Sequence, residues 1–378
     1  MCVTPRKEIV MSVLSQMMRQ CYRSIDDVKD RLQLSAEEVD AIREITKRYP
    51  LCLPPYYLDL IDPTDPADPI RRMCIPNPVE FDLDGQEDTS GEADNTVIKG
   101  MQHKYTQTVL ILSTNQCAMY CRHCFRKRMV GYSSCEVAHE LPAMAKYVSE
   151  HTEINNVLIS GGDALANENS VLEQYLETFS AIPTIDFIRI GTRVPVAMPQ
   201  RITEDAELLE LLRRYSKKKQ LFIVTHFNHP REVTEEAIRA IRALQECGCV
   251  VRNQTVLLHG VNDDPDVLAT LLNTVVRYGV IPYYVFQCRP VMGVKNQFQV
   301  PLQRGIDIVE EAKQKISGQA KSLRYAMSHP TGKIEILGKV ANGEMLFKYH
   351  QAKYAADASR LFTLPISDTQ CWLDEISR

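Results

Sequence analysis

From about residue 105 onward, short runs of β-branched and aliphatic residues alternate with longer segments whose apolar positions recur at helical intervals. The runs Thr108–Ser113, Asn156–Ser160, Asp186–Gly191, Leu221–His226, Val250–Leu257 and Ile281–Phe286 predict strands. Between and after them the pattern predicts helices near 136–150, 170–181, 203–217, 234–246, 265–278 and 303–316. Such alternation builds right-handed βα units around a parallel sheet, so the predicted class is α/β.

Upstream the pattern changes. Residues 1–50 predict helices: Ile25 to Leu32 carries apolar positions at helical gaps, and Ser35 followed by Glu38 opens a segment like a capping box. From Pro50 to Pro78 prolines repeatedly interrupt helix, and the acidic stretch Asp82–Asn95 has no apolar periodicity, which predicts a surface-wrapping connector. The chain thus divides into an N-terminal helical region with its Pro-rich connector (1–100), a barrel-like region (101–320) and a C-terminal segment (321–378).

With 378 residues, the chain is long enough for one barrel-like domain with extensions or for two ordinary domains. A net charge of -4 argues against a general nucleic-acid binder. No run of about 18 apolar residues suggests a membrane span, and the first residues lack the apolar stretch of a secretory signal. The 12 cysteines are scattered rather than packed into a small scaffold, which fits a reducing cytoplasm. Most of them, Cys247 and Cys249 included, read as small buried apolar residues.

The exception is Cys117-Ala-Met-Tyr-Cys121-Arg-His-Cys124, just beyond the first predicted strand of the alternating region. Three thiolates are one short of a closed zinc shell, which His123 could complete as a Cys3His knuckle. On a [4Fe-4S] cluster, three thiolates leave one iron open to bind a small molecule and pass it an electron. Other polar and glycine residues fall at later strand ends, where parallel α/β folds gather their ligand loops: Gly161-Gly162-Asp163, Thr192-Arg193, His226 to His229, and Tyr283 to Arg289. Gly161-Gly162 reads either as a tight turn or as exposed N–H groups that, beside Asp163, hold the zwitterionic end of a methionine.

The cysteine spacing resembles that of radical S-adenosylmethionine (SAM) enzymes. Eight ordered stretches, Lys104-Tyr105, Cys117–Arg126, Ile159–Leu165, Arg189–Arg193, Thr225–Pro230, Asn253–Leu258, Gly260–Asp263 and Pro282–Cys288, resemble the lysine 2,3-aminomutase family over roughly residues 95–350. The resemblance implies a partial (β/α)6 radical SAM barrel with a [4Fe-4S] cluster on Cys117, Cys121 and Cys124. It implies SAM held by Gly161, Gly162, Asp163, His226 and Gln254, and pyridoxal 5'-phosphate (PLP) held as an imine on Lys333. Without that context Lys333 reads as an exposed loop lysine.

The implied activity is an isomerase that moves an amino group from C2 to C3 of an amino acid. The implied partners are a small amino-acid substrate and a reductant such as flavodoxin or ferredoxin, with room for a homo-oligomer. Arg126 matches the position that pairs with the substrate α-carboxylate, while Arg122, Lys127 and Arg128 are left to surface or phosphate contacts. Where lysine-specific members place two aspartates, this chain has Arg289 and Ser328, which implies an acidic or non-cationic, glutamate-like substrate. Two alternatives stay open. One is an enzyme of the same family acting on lysine, a lysine derivative or a protein-bound residue, with or without PLP; the other is a non-catalytic zinc protein.

Overall fold

The computed structural model describes residues 11–374 and Ile376. Twelve strands form one open sheet in chain order: β1 (Thr96–Ile98), β2 (Met101–Tyr105), β3 (Thr108–Leu112), β4 (Asn156–Ser160), β5 (Phe187–Gly191), β6 (Gln220–Thr225), β7 (Val250–Leu257), β8 (Ile281–Gln287), β9 (Arg324–His329), β10 (Gly332–Lys339), β11 (Met345–Ala352) and β12 (Leu361–Leu364). Pairing is parallel from β3 to β9 and antiparallel in the flanks. Helices Leu141–Glu150, Asn169–Ser180, Ala206–Ser216, Glu235–Glu246, Pro265–Arg277 and Leu302–Gln314 follow β3 to β8 in turn, making the six βα units of a partial barrel.

The period of two along each strand explains the layering. In β5, Ile188 and Ile190 are fully buried against the helices, while Arg189 and Gly191 face a central cavity. The same alternation puts Val157 and Ile159 of β4 in the core and Leu158 and Ser160 on the cavity wall. A second apolar cluster, including Leu257, Ile306, Met327, Phe347 and Trp372, joins the last βα unit to the antiparallel C-terminal strands.

The structure departs from the sequence pattern in three places. Ile25 to Leu32 forms only a 3-10 turn at Ile25–Asp27 followed by further turns, although Ile25, Val28 and Leu32 are all buried. Its β-branched and aspartate residues have low helix propensity, so the spacing serves burial without a helix. The capping box does form, with Ser35 and Glu38 each accepting from the other's backbone N–H.

Second, Lys333 is not on an exposed loop. It is a residue of β10, and the β9–β10 hairpin turns at Pro330-Thr331 and sets Lys333 opposite Ser328.

Third, the proline-rich and acidic stretch lies on the surface only in part: Asp82–Asp84, Gln86 and Glu87 are exposed, but other parts enter the core. Pro55, Pro69 and Pro78 sit in the first turns of short helices, where a missing N–H does no harm. Ile70, Met73 and Cys74 are buried, as are Glu80 and Glu92, at 0% and 3% exposure. These acids are inside because cations meet them there. Glu80 accepts from Arg122 Nε at 2.9 Å and from Lys127 Nζ at 2.7 Å, and both cations are themselves buried.

Removing one partner of a buried ion pair costs about 3–5 kcal/mol, because the remaining charge is uncompensated. Glu80→Ala is therefore expected to lower stability by that order, read as a fall in the urea midpoint of the purified chain. An unchanged midpoint would show that the carboxylate does not hold these cations.

Candidate active site

The cysteine loop leaves β3 and is fastened to the ends of its neighbours. Ser113 N and Oγ donate to Ser160 O at 3.0 and 2.7 Å, and Tyr120 N and Arg122 N donate to Cys52 O and Met73 O. Gly161 has φ +117°, and a Cβ there would lie 2.3 Å from Thr114 O; one on Gly162 would lie 2.2 Å from Gln116 O. The glycines therefore permit a close backbone approach. The Gly162 and Asp163 N–H groups are not free donors, since Gly162 N donates to Thr114 O at 2.6 Å and Asp163 N to Gln116 O at 2.8 Å. The Asp163 carboxylate is likewise engaged, accepting from Leu165 N at 2.9 Å and from Arg193 N at 2.6 Å.

The three thiols share one electrostatic environment. Burial pushes Cys117 and Cys124 up, and the other thiols of the triad raise them further. Cys121 Sγ accepts from Arg193 Nη1 at 2.7 Å, and Cys124 Sγ from Arg126 N at 3.4 Å. Among the described residues no group of three or more His, Cys, Asp and Glu side chains closes on a single metal ion. A cubane cluster meets each thiolate at a different iron, so its cysteines stand further apart than around one ion. Donors on sulfur and a ring of cations suit a cluster that carries thiolate charge. His123 lies edge-on to Phe298 with Nε2 at 3.4 Å from Asn228 Nδ2, while its Nδ1 is buried without a partner among the described residues.

Beside the loop, within the barrel, lies a cavity of about 240 Å³. It is bordered by Arg126, His226, Gln254, Arg289, Ser328 and Lys333, so most of the site residues expected outside the cysteine loop and the Gly161–Asp163 turn meet in one space. Lys333 Nζ lies 4.8 Å from the centre of the Tyr284 ring and 5.8 Å from that of Tyr105. Burial, followed by the charges of Arg189, Lys104 and Arg289, lowers its pKa to about 7. Lys104 is lowered to about 7 in the same way, and its Nζ donates to His329 O at 2.6 Å and Ser90 O at 3.3 Å. Burial lowers His226 to about 4, so its imidazole is neutral at physiological pH.

The two expected carboxylate partners differ. Arg126 directs Nε and Nη2 to Glu92 Oε1, at 2.9 and 2.8 Å, and Nη1 to Ser160 Oγ and Gly161 O. Most of its fork is thus engaged within the protein. Arg289 is the more open of the two: its Nη1 is buried without a partner among the described residues, as are Tyr105 OH and Gln351 Oε1 on the same cavity wall. Buried groups of this kind cost about 1–3 kcal/mol each until something bonds them.

Glu92, Arg189 and Phe125 also line the cavity and were not singled out from sequence. Arg189 lay within a quoted motif, but Glu92 had no local signal, sitting in the acidic stretch that read as connector.

Residues 111–272 match the Radical SAM superfamily. The putative L-lysine 2,3-aminomutase of Aquifex aeolicus (strain VF5) is 39% identical over 360 residues, which cover 95% of this chain and 96% of that protein. The L-lysine 2,3-aminomutase of Clostridium subterminale is 38% identical over 304 residues, covering 80% and 72%. The glutamate 2,3-aminomutase of Clostridioides difficile (strain 630) is 37% identical over 314 residues, covering 82% and 71%. The chain belongs to the lysine 2,3-aminomutase family. This aminomutase is an isomerase of the radical SAM type, a class that works with a [4Fe-4S] cluster and SAM, and the cysteine loop has the donor set such a cluster needs.

The depressed pKa of the aminomutase's Lys333 can be tested on the cofactor-free chain. Since burial and neighbouring cations favour the neutral amine, Lys333 loses its proton as pH rises through about 7 rather than near 10.5. Labelling by an amine-directed reagent, mapped to the Lys333 peptide, is expected to reach half its maximal rate near pH 7. A midpoint above pH 9 would contradict this.

Proposed function

We propose that this aminomutase carries PLP as an imine on Lys333 and acts on an acidic, glutamate-like amino acid rather than free lysine. The charge of the cavity carries this reading. Lys104, Arg126, Arg189, Arg289 and Lys333 line it, and among the described lining residues Glu92 is the one carboxylate. Glu92 is already engaged, with Oε1 on Arg126 and Oε2 on Arg128. A lysine side chain would bring another ammonium into this space with no open carboxylate to receive it, and juxtaposed like charges cost several kcal/mol. An acidic side chain would instead supply the acceptor that Arg289 Nη1 lacks.

When bound, the cluster and SAM supply a 5'-deoxyadenosyl radical, and PLP supplies the group through which nitrogen passes from C2 to C3. The chain's own residues hold and orient the reactants. Cys117, Cys121 and Cys124 would hold the cluster; His226 and Gln254 on the cavity side would hold SAM, while the Gly161–Asp163 turn, its Gly162 and Asp163 N–H groups already engaged, seats the cysteine loop beside it. Lys333, with its pKa lowered to about 7, has a large neutral fraction near that pH and is nucleophilic enough to take a carbonyl. The rings of Tyr105, Tyr284 and Phe286 around its Nζ keep water from it. Arg126 takes the α-carboxylate, and Arg289 with Ser328 takes the distal one. The reducing electron comes from a flavodoxin- or ferredoxin-type donor in a reducing cytoplasm.

The test is anaerobic incubation with dithionite, SAM and a panel of amino acids, followed by mass and chiral analysis. Glutamate is expected to yield its 3-amino isomer together with 5'-deoxyadenosine, and efficient turnover of lysine alone would overturn the substrate assignment. The imine absorption band formed with PLP is expected to vanish in Lys333→Ala. Arg289→Asp is expected to lower kcat/KM for glutamate by an amount equivalent to about 2–5 kcal/mol.

A further inference from the structure

Arg126 belongs to the cysteine loop and Arg289 to the segment after β8, yet both guanidiniums pack on one ring. Their Cζ atoms lie 4.6 and 4.2 Å from the centre of Phe125. The two guanidinium carbons are therefore no further apart than those two lengths laid end to end. Cations this close in a partly desolvated space repel, and burial with Arg126 nearby lowers the Arg289 pKa to about 10. The negative face of an aromatic ring offsets part of that repulsion for each guanidinium.

The two are not equally fixed. Arg126 is tied to Glu92, Ser160 and Gly161. Arg289 has no recorded side-chain hydrogen bond among the described residues, and its Nη1 is buried without a partner. The Phe125 ring packs against the Arg289 guanidinium, and the same ring is covalently next to Arg126. Phe125 therefore sets the interval between an anchored guanidinium and one with open donors.

We propose that Phe125 is a specificity-determining residue: by seating both guanidiniums it fixes the interval between two carboxylate grips, and so selects the length of the dicarboxylic amino acid accepted. The inference rests on the acidic-substrate assignment and goes beyond it by naming what measures the acid. A dicarboxylate of matching length gives acceptors to both guanidiniums and relieves their repulsion. One methylene more or fewer carries the distal carboxylate off the charge-assisted bond to Arg289, and such bonds demand close geometry. Leucine would fill much of the space without offering a ring face, releasing Arg289 from its seat, whereas tyrosine would keep the face.

The experiment compares aspartate, glutamate and 2-aminoadipate as substrates for the anaerobically reconstituted chain, with iron and sulfide content measured for every variant. The wild type is expected to prefer one acid over its neighbours by roughly tenfold or more in kcat/KM. Phe125→Leu is expected to compress those ratios to within about threefold, and Phe125→Tyr to keep them. Arg289→Lys keeps the charge but loses the planar stack, and is expected to compress the same ratios. This second variant reads the interval from outside the cysteine loop, so it decides the matter should Phe125→Leu bind iron poorly.

Equal losses on all three acids in an iron-loaded Phe125→Leu, or ratios unchanged in both Phe125→Leu and Arg289→Lys, would overturn the proposal. A wild type that turns over lysine and none of the three acids would overturn the acidic-substrate assignment, and this inference with it. A wild type that takes all three acids alike would overturn this inference alone.

Discussion

The rest of the structure depends on how the cysteine loop buries its positive charge. Arg122, Arg126 and Lys127 are all at least nine-tenths buried, and Arg128 is largely so. Unpaired charges are not tolerated in such surroundings. Glu80 is shared by Arg122 and Lys127, Glu92 by Arg126 and Arg128, and Glu136 adds a second carboxylate to Arg128. Glu80 and Glu92 come from the segment upstream of the barrel, so that segment is a structural part of the thiol-bearing loop and not an appendage to it. Backbone bonds from Tyr120 and Arg122 to Cys52 and Met73 carry the same constraint. On another side, Arg193 pairs with the buried Glu232 and also donates to Cys121 Sγ. The loop is held by ion pairs that are complete before any cofactor arrives.

How much of this was legible in the sequence follows from whether each signal is local. β3 to β8 lie within a residue or two of their predicted positions because each strand buries alternate residues and each following helix buries a stripe, and both patterns belong to contiguous segments. The cysteine spacing and the polar residues at strand ends were legible for the same reason. The roles of Glu80 and Glu92 were not, because an acid is buried only where a cation meets it, and their partners lie 42 and 34 residues downstream. The β9–β10 hairpin also escaped notice. Its turn residues were visible, but β9 is in the sheet through parallel pairing with β8 across an intervening helix. For the segment from Ile25 to Leu32, spacing announced burial correctly and helix incorrectly, since three turns can bury what a helix would.

Resemblance to the family located Arg126 and Lys333 but could not show their surroundings. Lys333 is depressed first by burial and then by the charges of Arg189, Lys104 and Arg289 in the same cavity. The positive potential thus does two things: it adds to burial in bringing the lysine pKa down to about 7, and it attracts anions to the same place. These effects reinforce one another only while the cavity lacks an open carboxylate. A free acid at the position of Arg289 would raise the Lys333 pKa and receive a cation, reversing both.

The covalent chain adds a constraint that packing alone would not. Cys124, Phe125 and Arg126 are consecutive, so on the proposed assignment the cluster ligand and the arginine for the α-carboxylate are separated by two peptide bonds, at most about 7 Å between their Cα atoms. A radical generated at the cluster has to meet a substrate carbon without escaping to solvent, which requires a short, fixed separation rather than a strong grip. Placing both residues on one loop limits that separation through the sequence itself. Glu92 then stops the guanidinium from swinging, and the glycines at 161 and 162 let the loop seat against β4. The distal end of the substrate has no such covalent link to the cluster, and its position depends on what holds Arg289.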